Sequence, residues 1–135
     1  MEAVAPNAVG RPGRIVKWVS YVISAIPVLM MSLSAVFKFF PDFVGEGFAQ
    51  LGWPVSLSVP LAIVELSCVI IYLIPRTAVL GAILVAGYLG GATATHVRVG
   101  DSSFFMPALL GVFAWLGLWL RDRRVSELIP LRTRY

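Results

Sequence analysis

Charge is what this sequence has too little of. Only 13% of its 135 residues are charged and 59% are hydrophobic, whereas an ordinary soluble domain carries about 25% charged residues. A small water-soluble fold is excluded, and the apolar excess points to a bilayer as the solvent. Cysteine is nearly absent too: Cys68 is the only one. A lone thiol forms no internal disulfide, so this chain alone cannot cycle a dithiol. Cys68 lies inside an apolar run and reads as a packed small residue. With His96 as the one histidine, ligands are too few for a structural zinc site, and no metal is expected. The net charge of +4 does not mark a nucleic-acid binder, because the basic residues flank the apolar runs rather than forming a stripe.

The chain does hold four long apolar runs, at about residues 18–37, 56–74, 77–95 and 104–120. At 1.5 Å per residue, about 20 residues cover the roughly 30 Å of a hydrocarbon core. These spans predict an all-α membrane protein, an antiparallel four-transmembrane-helix bundle over residues 14–124. Residues 1–13 read as a disordered lead and 125–135 as a tail. A cleaved signal peptide is the rival reading of the first run, but the run is too long and carries Pro27 at its centre. Between the first two spans, Phe39, Phe40, Phe43, Phe48 and Trp53 predict a segment lying along the headgroup interface. The Pro75–Arg76 turn forces the second and third spans to be antiparallel neighbours.

Basic residues give the orientation. With four spans, both termini and the Pro75–Arg76 turn share one side. That side holds Arg11, Arg14, Lys17, Arg76, Arg121, Arg123, Arg124, Arg132 and Arg134; the other holds Lys38 and Arg98. Nine against two predicts cytoplasmic N- and C-termini by the positive-inside rule, in the inner membrane of a bacterium.

Glu65 is the most informative residue, because it interrupts the second span. A charge at the centre of a span costs about 2.5–3.5 kcal/mol on insertion scales, so Glu65 should face the interior and have a partner or a proton. Its helical face includes Ser58 and Tyr72, which are expected to line the same pocket along with Ser34 of the first span. Lys38 and His96, at the far ends of their spans, are the expected partners. Helix rise puts Glu65 about 14 Å below the boundary; the lysine stem reaches down about 9 Å and Glu65 reaches up about 4 Å, so the two nearly meet and a water can close the remaining gap. Arg98 completes the mouth of a polar funnel opening outward. Each residue also has a plainer reading: Lys38 snorkels, His96 is a loop-edge imidazole, and Asp101 pairs with Arg98 or caps the fourth helix. In the third span Gly87, Gly91 and Thr95 recur every four positions, beside a second small row of Ala82, Ala86, Gly90 and Ala94. Such rows predict a helix-packing seam.

Several segments resemble the DoxX-like membrane protein family. They are Ser34-Ala35-Val36-Phe37-Lys38, Leu51-Gly52-Trp53-Pro54, Ile63-Val64-Glu65-Leu66, the stretch from Gly87 to Asp101 with its His96-Val97-Arg98-Val99-Gly100-Asp101 end, and Leu118-Trp119-Leu120-Arg121-Asp122. The resemblance covers about residues 14 to 130, and Ser34-Ala35 departs from the glycine of many relatives. It implies a four-helix membrane bundle. It further implies a quinone-interacting or redox-associated role, since the family is named for a membrane subunit of a thiosulfate:quinone oxidoreductase and relatives are linked to oxidant defence. Other members resemble assembly factors or chaperones.

Three functions follow as expectations. In the first, the polar pocket binds a quinone headgroup and other redox subunits supply electrons, because the chain has no haem-ligand pair, iron–sulfur cysteine set or dinucleotide motif of its own. An accessory subunit fits this better than a stand-alone enzyme. In the second, the chain is a non-catalytic scaffold or assembly factor for a membrane complex, or a homo-oligomer joined through the small-residue seam. The third, a small transporter or proton pathway, follows from the intramembrane carboxylate.

Overall fold

Where a helix is surrounded by lipid, its large apolar side chains can point outward, and only a narrow stripe has to pack inward. The first helix, α1 (Arg14–Lys38), follows this rule. It buries Ser20, Ser24, Pro27, Met31 and Ala35 at three- and four-residue spacing, while Leu29 and Leu33 are exposed. A computed structural model describes residues 12–129 of the chain. Most of the expected lead, with Arg11, and the end of the expected tail, with Arg132 and Arg134, lie outside the described residues.

The second helix, α2 (Pro41–Gln50), is short. Pro41 in its first turn loses no intrahelical bond, and Asp42 lies beside the positive end of the helix dipole. Phe43 is 77% exposed, whereas Phe48 is buried. The expected interfacial segment is therefore a helix with one wet or lipid-facing side and one side on the bundle. A single tight turn leads into α3 (Ser58–Leu73), which buries Ser58, Ala62, Glu65, Cys68, Val69 and Tyr72. Another, Pro75–Thr77, leads into α4 (Ala78–Arg98), and Thr77 Oγ1 donates to the Ile71 carbonyl at 2.9 Å across it. Asp101 caps the turn before α5 (Phe105–Arg121) by accepting from the Ser103 N–H at 2.9 Å. Asp122 repeats that device for α6 (Arg123–Leu128), which Trp119 holds through a bond from its indole N–H to the Ile129 carbonyl at 3.0 Å.

The four long helices, with their leading turns, are each long and apolar enough to span a membrane. α1 packs against α3 and α5, and α4 packs against the same two, which closes a ring of four antiparallel helices. Among the described residues Lys38, His96, Arg98 and Asp101 gather at one end of the ring. Arg14, Lys17, Arg76, Arg121, Arg123 and Arg124 belong to the other.

Two glycines bring backbones together. A methyl group on Gly81 would overlap the Tyr72 backbone of α3, and one on Gly117 would overlap Ser24 and the Ser20 carbonyl of α1. Gly87, Gly90 and Gly91 behave differently: a methyl on any of them meets nothing within 4 Å. At these three glycines of the expected small-residue rows, the described residues leave open space, whereas Ala82 of the second row is buried in the core. Close approach happens instead at Gly81 and Gly117, the first beside the tight turn and the second at the closure of the ring.

Candidate functional site

The Lys38 ammonium lies 2.5 Å from Glu65 Oε2. Lys38 is the last residue of α1 and Glu65 lies two turns into α3, so the lysine stem runs down the helix interface to reach it. Glu65 is only 2% exposed, and a carboxylate there needs a counter-charge in contact. Ser34, one turn before Lys38, accepts a bond from the ammonium at 2.6 Å and donates to Glu65 Oε2 at 3.5 Å. The expected bridging water is not needed, because the two charges meet directly.

Tyr88 of α4 completes this cluster. Its ring lies 5.8 Å from the Lys38 ammonium, and its hydroxyl faces the Glu65 carboxyl group. Sequence reasoning overlooked it, although Tyr88, Ala92 and His96 recur every four residues and so share a face of α4.

His96 is held from outside the span. Its Nδ1 lies 2.7 Å from Asp101 Oδ2, while the other carboxyl oxygen is engaged by the Ser103 N–H. These contacts hold the Asp101 carboxyl group below its ordinary pKa, the Ser103 backbone N–H contributing most and His96 next. An ionised carboxylate only accepts hydrogen bonds, so Nδ1 donates the shared hydrogen, and Nε2 is the ring nitrogen that Asp101 does not engage.

These groups line one cavity of about 740 Å³. Its polar surface comes from Ser34, Lys38, Glu65, Tyr88, Thr95 and His96, and most of the rest is apolar, including Met30, Met31, Met106 and Leu110. Phe43, Phe48 and Trp53 place α2 and its following loop along one side. Gly87 and Gly91 belong to the wall too. Their missing side chains leave the space in which a helix contact was expected.

Three expected site residues lie elsewhere. Tyr72 is buried in the other half of the bundle, its hydroxyl 2.7 Å from the Ala114 carbonyl and 2.9 Å from Ser24 Oγ. Ser58 is buried without a hydrogen-bond partner and is not part of the cavity wall. Shared helical face misled here: each lies seven residues from Glu65, about 10 Å along the axis. Arg98 does not ring the mouth, because its guanidinium donates to the Leu51 carbonyl at 2.5 Å. It rests on Gly52, whose φ of 73° is in the left-handed region. Its work is to tie the end of α4 to the loop after α2. Asp101 caps, as one reading expected, but pairs with His96 rather than Arg98.

A second, shallower groove of about 960 Å³ runs between α4 and α5 on the lipid-facing side. Its floor is small-residue surface, with Ala86, Gly90, Ala94, Ala108 and Gly111. Leu89 and Pro107 line both spaces.

The family model described as the DoxX-like family matches residues 22–117, most of the chain. The protein belongs to the DoxX-like family. No curated protein and no solved structure matches it. The region shared with the DoxX-like family contains the whole Lys38–Glu65–Tyr88 cluster and the His96–Asp101 pair. Arg121 and α6 fall outside it.

Proposed function

We propose that this DoxX-like protein is the quinone-interacting accessory subunit of a membrane redox system. The observation that carries the proposal is the largely apolar cavity with the buried Lys38–Glu65 pair in its wall. A ligand pocket of this kind uses apolar surface for affinity and a few fixed polar groups for orientation. A ring with a carbonyl or hydroxyl oxygen suits it: the ammonium donates to a carbonyl, and the carboxylate accepts from a hydroxyl. Electrons come from another subunit. In this reading the cavity opens outward, both termini are cytoplasmic and the membrane is the inner membrane of a bacterium, as the distribution of basic residues supports.

The test is to purify the full chain from native membranes, extract it and look for quinone by mass spectrometry, then titrate the stripped protein in nanodiscs with a decyl-substituted benzoquinone. Saturable binding that weakens in Glu65→Gln supports the reading. Quinone-free protein with no saturable binding rejects it.

A second reading, a scaffold or assembly factor, is favoured by the α4–α5 groove, whose small residues let another helix approach closely. A stable partner whose capture is abolished by Gly90→Leu and untouched by Glu65→Gln would support it.

A further inference from the structure

In the cavity wall, His96 and Lys38 differ in a way that matters for chemistry. Lys38 is already engaged by Glu65 and Ser34. His96 has one nitrogen committed to Asp101, and its side chain is 24% exposed. A ring so held lines the cavity and stays partly exposed.

We propose that the His96–Asp101 pair is the proton-exchange site of the cavity, with Asp101 positioning the ring and Nε2 taking a proton from, or returning it to, an oxygen of the bound ligand. This rests on the quinone reading above and adds the group that handles the proton. The step is a proton transfer alone. A ligand O–H bond breaks, an N–H bond forms at Nε2, and the ligand keeps the electron pair as an oxyanion. The resulting imidazolium is paired with the Asp101 carboxylate, and its proton leaves to water at the exposed edge.

One residue can thereby serve both forms of such a ligand. Neutral His96 accepts from a hydroquinone hydroxyl; protonated His96 donates to a quinone carbonyl. The Lys38–Glu65 pair, deeper in the wall, is suited to hold the ligand rather than to exchange protons with water. Other groups that titrate or carry charge around the cavity are Lys38 on α1, Glu65 and Cys68 on α3, Tyr88 and Arg98 on α4, and Asp101 after α4. The α2 and α5 residues in the wall carry no charge, and Asp42 and Glu46 of α2 lie outside it.

His96 is the only histidine in the chain, so imidazole ¹⁵N spectra of the full protein in nanodiscs report it without assignment. The expected spectrum is the tautomer with hydrogen on Nδ1, lost in Asp101→Asn. Decyl-benzoquinone and its hydroquinone are the two binding probes. As pH falls, the ratio of quinone to hydroquinone affinity should rise, by at most about tenfold per pH unit for one proton. In His96→Ala both affinities should fall, through loss of the ring's hydrogen bond, and the pH slope of their ratio should vanish. A tautomer with hydrogen on Nε2, or affinities independent of pH in the wild type, overturns the proton step and leaves the quinone reading standing. Failure of both probes to bind rejects the quinone reading and this step with it, even if the Nδ1 tautomer is present.

Discussion

The hydroxyl of Tyr72 donates to the Ala114 carbonyl at 2.7 Å, and that one bond sets the direction of a chain of four. Tyr72 has a single hydrogen, so Ser24, 2.9 Å away, must donate to it. Arg121 in turn donates to Ser24. The sequence Arg121, Ser24, Tyr72, Ala114 therefore runs from a cation to a carbonyl and links α5, α1 and α3. The Arg121 guanidinium also lies over the Tyr21 and Tyr72 rings, at 5.7 and 5.4 Å.

Tyr72→Phe should lower stability by about 1–3 kcal/mol, because it removes two buried hydrogen bonds, one to the Ala114 carbonyl and one from Ser24. Thermal unfolding in detergent reads this, and the proposed quinone binding should be unaffected. An unchanged melting temperature would show that water replaces the hydroxyl.

Glycine substitutions should divide by position. Gly81→Ala and Gly117→Ala push a methyl into a neighbouring backbone or side chain and should cost about 1–3 kcal/mol. Gly87→Ala and Gly91→Ala meet open space and should leave the melting temperature unchanged or slightly raised, because alanine is the better helix former. Larger residues at 87 or 91 should reduce ligand binding without unfolding the bundle.

A double-mutant cycle at Lys38 and Glu65 should show strong coupling. Removing one partner leaves the other as an uncompensated buried charge, a loss of about 3–5 kcal/mol at its upper bound, and Lys38 is 15% exposed at its side chain, which moderates it. The combined Lys38→Met, Glu65→Leu variant should be more stable than either single change. Additive losses would mean that the two charges are independently solvated.

How far a sequence reveals such a protein depends on which dimension carries the information. The four spans were legible because hydropathy over 20 residues needs no knowledge of neighbours. The approach of Lys38 to Glu65 was legible because both sit at countable depths along adjacent helices. Ser58 and Tyr72 were assigned to the wrong depth, because a helical face repeats every turn but the bundle differs from one turn to the next. Gly87 and Gly91 show a different limit: a missing side chain permits either a close helix or an empty space, and only the partner's position decides. Tyr88 was readable from its spacing to His96, but an aromatic in an apolar span looks like ordinary packing.

The Asp101 carboxyl group predicts a response to acid. Its folded pKa is lowered, so its cap stabilises the fold above the ordinary carboxyl range and is lost as pH falls through the lowered value, below about pH 4. The Ser103 amide should then gain hydrogen-exchange rate in that window. Asp101→Asn should remove the pH dependence, and persistence of the wild-type profile in that variant would refute the assignment.

Leu89 and Pro107 line the inner cavity and the lipid-facing groove at once, so the partition between the two is about one side chain thick. A Leu89→Ala change would open a side door. The bilayer itself then becomes the reservoir that feeds the pocket. A greasy ligand dissolved in lipid is concentrated far above its level in water, so modest intrinsic affinity suffices for occupancy. Binding constants measured for the proposed quinone should accordingly be expressed per mole of lipid, and they should change with the lipid-to-protein ratio of the preparation.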